Sequence, residues 1–124
     1  MSLDAVQANI SLHHIEIKSR DPKRLAHFYS KVMDMKIVRL TNQKFLCEGP
    51  GRKIIIRTGK NKTLGYAGMV CKNEENLERY KEFLKINKCK INAFVSEFYQ
   101  SGSFSLQDPD NNMICFGVLK KENY

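Results

Sequence analysis

Apolar and polar positions alternate over residues 12–19, with Ile15 and Ile17 on one face and Leu12, His14, Glu16 and Lys18 on the other. That period of two predicts a half-buried strand. Asp21 then suits a helix N-cap and Pro22 the first helical position. Leu25, Phe28, Tyr29, Val32 and Met33 follow at helical spacing, which predicts a helix of about three turns packed on the Ile15/Ile17 face. Three short strands come next, KIVRL (36–40), KFLCE (44–48) and RKIIIRT (52–58), separated by TNQ and GPG.

After GKNKT the same order begins again. GYAGMVCK (65–72) reads as a strand, Asn73 as an N-cap, and Glu74 and Glu75 place negative charge at the positive end of the helix dipole. Leu77, Tyr80 and Leu84 form the apolar stripe of this second helix, beside Phe83. CKINAFV (89–95), SFSLQ (103–107) and MICFGVL (113–119) are the remaining strands, with DPDNN as the turn before the last. An offset of 52 carries Leu25 onto Leu77, Phe28 onto Tyr80 and His14 onto Tyr66, and an offset of 60 carries Ile55 onto Cys115. The pattern is a tandem duplication of one βαβββ unit.

Composition narrows what such a chain does. At 124 residues and 42% hydrophobic content it is sized for one domain with its own core. Its apolar runs fall short of the eighteen or so residues that span a bilayer, and MSLDAVQANI has neither the charged start nor the apolar stretch of a secretion signal. A cytoplasmic location is expected. Cys47, Cys71, Cys89 and Cys115 are scattered without a CxxC pair, as reduced thiols filling a core would be. The net charge of +8 comes from lysines spread over helices, turns and termini without aromatics interleaved on one face. This argues against a nucleic-acid surface and favours an anionic over a cationic small ligand.

The run from His14 to Asp21 followed by Phe28-Tyr29, together with the late DPDNNMICF, resembles the vicinal oxygen chelate superfamily of glyoxalases, bleomycin and fosfomycin resistance proteins and extradiol dioxygenases. The match runs from about Leu12 to Val118, and FLCEGPGRKIIIRTG with LGYAGMVCKNEENLERYKEFL looks most like an extradiol dioxygenase module. The resemblance implies an α+β fold in which two tandem βαβββ modules pair their mixed sheets into a cup. On that reading, residues 1–11 are an N-terminal extension, 12–119 a single domain (modules 12–58 and 65–119), and 120–124 a C-terminal tail.

In the family, metal ligands come from the first and last strands of each module. The matching positions here are His14, Ile55, Tyr66 and Cys115, and only His14 keeps the usual residue. Two readings stay open. In one, His14, Tyr66 and Cys115 form an altered site for Fe, Mn, Ni or Zn, with the phenol and thiol binding as anions. In the other the cup holds no metal cofactor, and His14, Tyr66 and Cys115 line a wall that binds a small aromatic or anionic molecule.

Glu16 and Lys18 share the face of His14, and Lys53 and Arg57 that of Ile55. Arg57 is therefore a candidate to grip a carboxylate or phenolate of a ligand, and Glu16 a candidate general base; an ion pair between the two is the structural alternative. His13 is expected on the opposite face from His14. Phe98 and Tyr99, in VSEFYQSGS, are expected to close over the cup mouth or to form dimer contacts.

The function classes are thus a metal-dependent dioxygenase or lyase acting on vicinal oxygens, a metal-free binding protein, or a module of a larger dioxygenase. The charge speaks against a cationic drug such as bleomycin. Small members of the family commonly pair, so a homodimer is expected, with neither nucleic acid nor membrane as partner.

Overall fold

A computed structural model describes residues 1–61 and 63–120. The elements run β1 (Ser11–Ser19), α1 (Pro22–Met33), β2 (Lys36–Thr41), β3 (Lys44–Gly49), β4 (Arg52–Thr58), β5 (Thr63–Val70), α2 (Glu74–Ile86), β6 (Asn92–Ala93), β7 (Phe104–Gln107) and β8 (Met113–Gly117). This is a mixed α+β chain with the order βαβββ twice over. Two compact units are present, one of residues 13–67 and one of residues 1–12 with 68–120. No helix among the described residues is long and apolar enough to cross a membrane.

In the first unit the strand order is β2-β3-β4-β1, with β1 parallel to β4 and the other pairs antiparallel. The parallel register sets Ile15 beside Ile54 and Ile17 beside Ile56, which puts four β-branched residues on the face that α1 covers. Asp21 caps α1 by accepting the Arg24 N–H at 3.2 Å, and Pro22 occupies the first turn, where a missing donor costs nothing. The helix packs Leu25, Ala26, Tyr29 and Met33 against Phe45, Cys47 and Ile56. Phe28 and Val32, expected in that stripe, are 53% and 62% exposed. The i, i+4, i+8 row through Leu25, Tyr29 and Met33 faces the sheet and leaves the Phe28/Val32 row on its outer flank.

In the second unit β8, β7 and β6 form an antiparallel ladder, with Ser105 opposite Cys115 and Phe104 opposite Phe116. Asn73 caps α2 by accepting the Asn76 N–H at 2.8 Å, and Leu77, Tyr80 and Leu84 are the buried stripe. They pack with Cys71, Phe104, Phe116, Val118 and Ala8. Ala8 belongs to a turn closed by reciprocal bonds, Asp4 N–H to Gln7 Oε1 at 3.0 Å and Gln7 N–H to Asp4 Oδ1 at 2.8 Å, so the segment before β1 is part of this core.

Three strands depart from expectation. Residues 89–95 shrink to Asn92–Ala93: Lys88 is left-handed (φ 60°) and the Cys89 N–H returns to Leu84 O, so residues 89–91 are spent leaving α2. β8 stops at Gly117 because Val118 and Lys120 bond instead to Gln100 and Phe98. β5 starts and ends two residues early, and the Cys71 N–H bonds to Gly117 O. Of the tail expected at 120–124, residues 121–124 lie outside the described residues.

The DPDNN turn is organised by Asp108, whose carboxylate accepts the backbone N–H groups of Asn112 and Asp110, both at 2.9 Å, and the Asn112 side-chain N–H at 3.1 Å. The bonds from Asn112 above all, then the one from Asp110, hold its acid strength up and its pKa below the ordinary value. A carboxyl whose folded pKa is depressed adds stability that is complete above the unfolded pKa of about 3.9 and is lost as pH falls through the folded value. Asp108→Asn is therefore expected to lower the melting temperature at neutral pH and to lose less on acidification below about pH 4 than the parent. Melts from neutral pH down into that range check this; parallel curves would contradict it.

All four cysteines are free thiols; Cys47, Cys71 and Cys115 are buried and Cys89 is exposed. Burial also pushes the Cys47 pKa up, further from the reactive thiolate. A thiol reagent added to the folded protein should modify Cys89 promptly and the other three only on unfolding, which mass spectrometry of the labelled chain reads directly.

Candidate functional site

The face of β1 opposite α1 carries His14 and Glu16, only 2% and 5% exposed. Ile55 and Leu46 lie on the same face through the register Glu16↔Ile55 and Leu46↔Ile55, and they are buried as well. Two ionisable residues are thus held among aliphatic neighbours, and each has a fixed partner.

His14 is bonded at both ring nitrogens. Its Nε2 is 2.8 Å from the Tyr66 hydroxyl, with the two rings edge to face at 5.3 Å. Its Nδ1 is 2.8 Å from His13 Nδ1, with ring centroids 5.1 Å apart and the planes at 90°. The expectation that His13 turns away is corrected: the backbones alternate, but the two imidazoles meet at their edges. An Nδ1 to Nδ1 bond needs one nitrogen with a proton and one with a lone pair, so His13, His14 and Tyr66 form a three-member proton chain. Its ends are interchangeable: Tyr66 donates to His14 Nε2 when His14 donates to His13, and accepts when the tautomers reverse.

Glu16 pairs with Arg57, Nε to Oε1 at 2.5 Å, which realises the ion pair foreseen as the alternative to a ligand-gripping arginine. The arginine side chain is 41% exposed against 6% for the glutamate, so the carboxylate is enclosed while part of the guanidinium reaches solvent. Gly65 of β5 is packed onto the Glu16 carboxylate so closely that a Cβ there would strike it. Lys53, expected on the Ile55 face, forms a longer pair with Glu48 at 3.9 Å.

Cys115 belongs to the other unit, fully buried on β8 beside Ser105. Phe98 and Tyr99 are also buried there. Tyr99 donates its hydroxyl to Met69 O at 2.8 Å, and its pKa is pushed up by burial and then by Cys115. The expectation that Phe98 and Tyr99 close over the cup mouth or form dimer contacts is corrected: these rings are core, anchored by the bonds of Gln100 and Lys120 across residues 118–120.

The family model described as Glyoxalase/Bleomycin resistance protein/Dioxygenase superfamily matches residues 11–116. The chain belongs to this superfamily. No curated protein matches the sequence. Among solved structures, a catechol 2,3-dioxygenase superposes with a TM-score of 0.75 at 16% identity, covering 86% of this chain and 39% of that one. A homoprotocatechuate 2,3-dioxygenase from Arthrobacter globiformis gives 0.72 at 14% identity, covering 88% and 36%. The enzyme of the same name from Brevibacterium fuscum, in complex with 3,4-dihydroxyphenylacetate, gives 0.70 at 13%, covering 88% and 36%. These likenesses establish the glyoxalase-like fold. The chain spans about two-fifths of the length of those dioxygenases.

The divalent metal that the superfamily implies is poorly served by the donors present. Both nitrogens of His14 are engaged with His13 and Tyr66, Glu16 is committed to Arg57, and Ile55 has no lone pair to offer. Among the described residues no group of three or more His, Cys, Asp and Glu side chains is placed to hold a metal ion. The residues do not fit the group. His13 is the member of this constellation that alternation hid; the HisHis pair itself was the only signal available.

Proposed function

We propose that this chain is a metal-independent binding member of the glyoxalase/dioxygenase superfamily, taking up a small aromatic or anionic molecule rather than cleaving or isomerising it at a metal. One observation carries the reading: the single retained family ligand, His14, spends both ring nitrogens on protein partners, and its acidic neighbour is neutralised by an arginine. A metal at His14 Nε2 would have to displace the Tyr66 hydroxyl and recruit anions from Tyr66 and Cys115. Within the set His14, Tyr66, Arg57 and Cys115, the partly exposed guanidinium of Arg57 is the group offered to an anion, while the other three are buried. Glu16 orients Arg57 and has no catalytic part in this proposal. A cytoplasmic homodimer is the accompanying expectation, checked by sedimentation.

Elemental analysis of the purified, dialysed protein tests the reading. Well under one equivalent of Fe, Mn, Ni or Zn per chain is expected, and about one equivalent would overturn it in favour of the altered His14/Tyr66/Cys115 site. In that case His14→Ala and Cys115→Ser should each abolish uptake. Arg57→Ala should weaken the binding of anionic members of a catechol and arylcarboxylate panel, and unchanged affinity would remove Arg57 from the site.

A further inference from the structure

We propose that the unit of residues 68–120 carries a second small-molecule site, outside the His14 region, that takes an aromatic ring bearing a carboxylate or a comparable compact anion. The site is a cavity of about 700 Å³ between α2 and the segment from β6 to the start of β7. That volume lies within the range of about 300–1,000 Å³ common for ligand pockets. Its wall combines the two features such a ligand needs. Phe94 supplies partly exposed aromatic surface, backed by the buried rings of Tyr99 and Phe104, and Lys81, Lys85 and Lys120 supply cations, while none of the described residues lining it is acidic.

The fold positions these groups for local reasons. Lys81 and Lys85 stand four residues apart on α2 and so share one helix face. The Lys81 Nζ lies 5.6 Å from the Phe104 ring centroid, a cation–π contact that holds the ammonium at the wall. Phe94 and Tyr99 meet edge to face, with centroids 6.2 Å apart and planes at 67°, and Tyr99 is fixed by its bond to Met69 O. An aromatic ring entering beside the partly exposed Phe94 continues the same edge-to-face packing. The Gly102 bend, at φ +95°, has nothing within 4 Å of where a Cβ would stand, so the wall is open on that side. Glu78 and Glu82 flank Lys81 and Lys85 on another side of α2 and temper their charge; attraction of the anion is therefore expected to be sensitive to salt.

The site shares no residue with the Arg57 reading, so the two fail separately. Titration of the full chain with 1-naphthoate at low salt, followed by amide NMR shifts and calorimetry, tests it. Saturable shifts centred on Phe94 and Gly102 are expected, with affinity falling roughly tenfold in Lys81→Glu/Lys85→Glu, a loss of two surface charge contacts together with their reversal. The shifts at Phe94 and Gly102 should titrate with the same midpoint in Arg57→Ala, which removes only binding seen at residues 13–67. Cyclohexanecarboxylate, 1-naphthalenemethanol and inorganic phosphate should each bind much more weakly, because each lacks the ring or the charge. Lys81→Gln/Lys85→Gln, which keeps the stems, guards against a folding defect and should show an intermediate loss at an unchanged melting temperature. Equal affinity for phosphate, full affinity in the charge-reversed variant, shifts confined to residues 13–67, or no saturation at millimolar ligand would each overturn the proposal.

Discussion

Replacing Phe104 by alanine is expected to cost about 3–5 kcal/mol of unfolding free energy, the largest single-residue loss foreseen in this protein. Phe104 opens β7 with 1% of its surface exposed. Its ring stacks on Phe116 at 5.2 Å between centroids with the planes 22° apart, and Phe116 in turn meets Tyr80 of α2 at 5.3 Å. Truncation therefore removes the stacking that backs Phe116 where it meets the helix, and it leaves a ring-sized hole in a densely packed cluster. Phe104→Leu fills part of that hole and should cost about half as much. Urea unfolding of both variants measures the difference. A loss below about 1 kcal/mol for alanine would mean that the cluster collapses around the gap and that the ring is not central to it.

The residues that organise Phe104 were legible in the sequence because their signals are local. Asn73 with Glu74 and Glu75 announces α2, and the stripe Leu77, Tyr80 and Leu84 announces its buried face; both hold in the structure. Asp21 and Pro22 do the same for α1, and the DPDNN turn is made by the side chain of its own first residue. What the sequence left hidden depends on partners far along the chain. Phe98 and Tyr99 sit in a polar stretch that reads as a loop, yet the backbone bonds to residues 118–120 draw both into the core. Nothing within that stretch encodes those bonds.

The site was half visible for the same reason. The offset of 52 identified His14 and Tyr66 as equivalent positions of a duplicated unit, and the structure brings these two side chains together in one hydrogen bond across that separation. Equivalence was readable; contact was not. Alternation along β1 separated His14 and Glu16 from Ile15 and Ile17 correctly, but it carries no measure of how deeply the polar pair is enclosed. Both are buried, because Tyr66 and Arg57, 52 and 41 residues away, satisfy them. A local pattern counts polar groups and has no means of counting the partners that let them be buried.

Gly65→Ala is expected to cost about 2–3 kcal/mol, from overpacking combined with loss of a buried carboxylate's partner. A Cβ at this position of β5 would strike the Glu16 carboxylate, with its Cδ and Cγ at 3.0 Å. The carboxylate is the flexible end of its side chain, which softens the clash, but its position is set by the 2.5 Å contact to Arg57 and there is almost no exposed surface to move into. Relief of the clash therefore means lengthening the ion pair inside an enclosed site, which raises the desolvation cost of the charge. The distinguishing measurement is a double-mutant cycle by urea unfolding. In a Glu16→Ala background the three nearest atoms that the added methyl would strike are gone, so Gly65→Ala should there be close to neutral, and the coupling between positions 16 and 65 should account for most of the single-variant loss. Equal cost in both backgrounds would mean that the glycine is required by the strand backbone and not by the carboxylate. Binding of anionic ligands by the Gly65→Ala protein should weaken, though less than in Arg57→Ala, since the first change only frees the guanidinium from the glutamate that orients it and the second removes it.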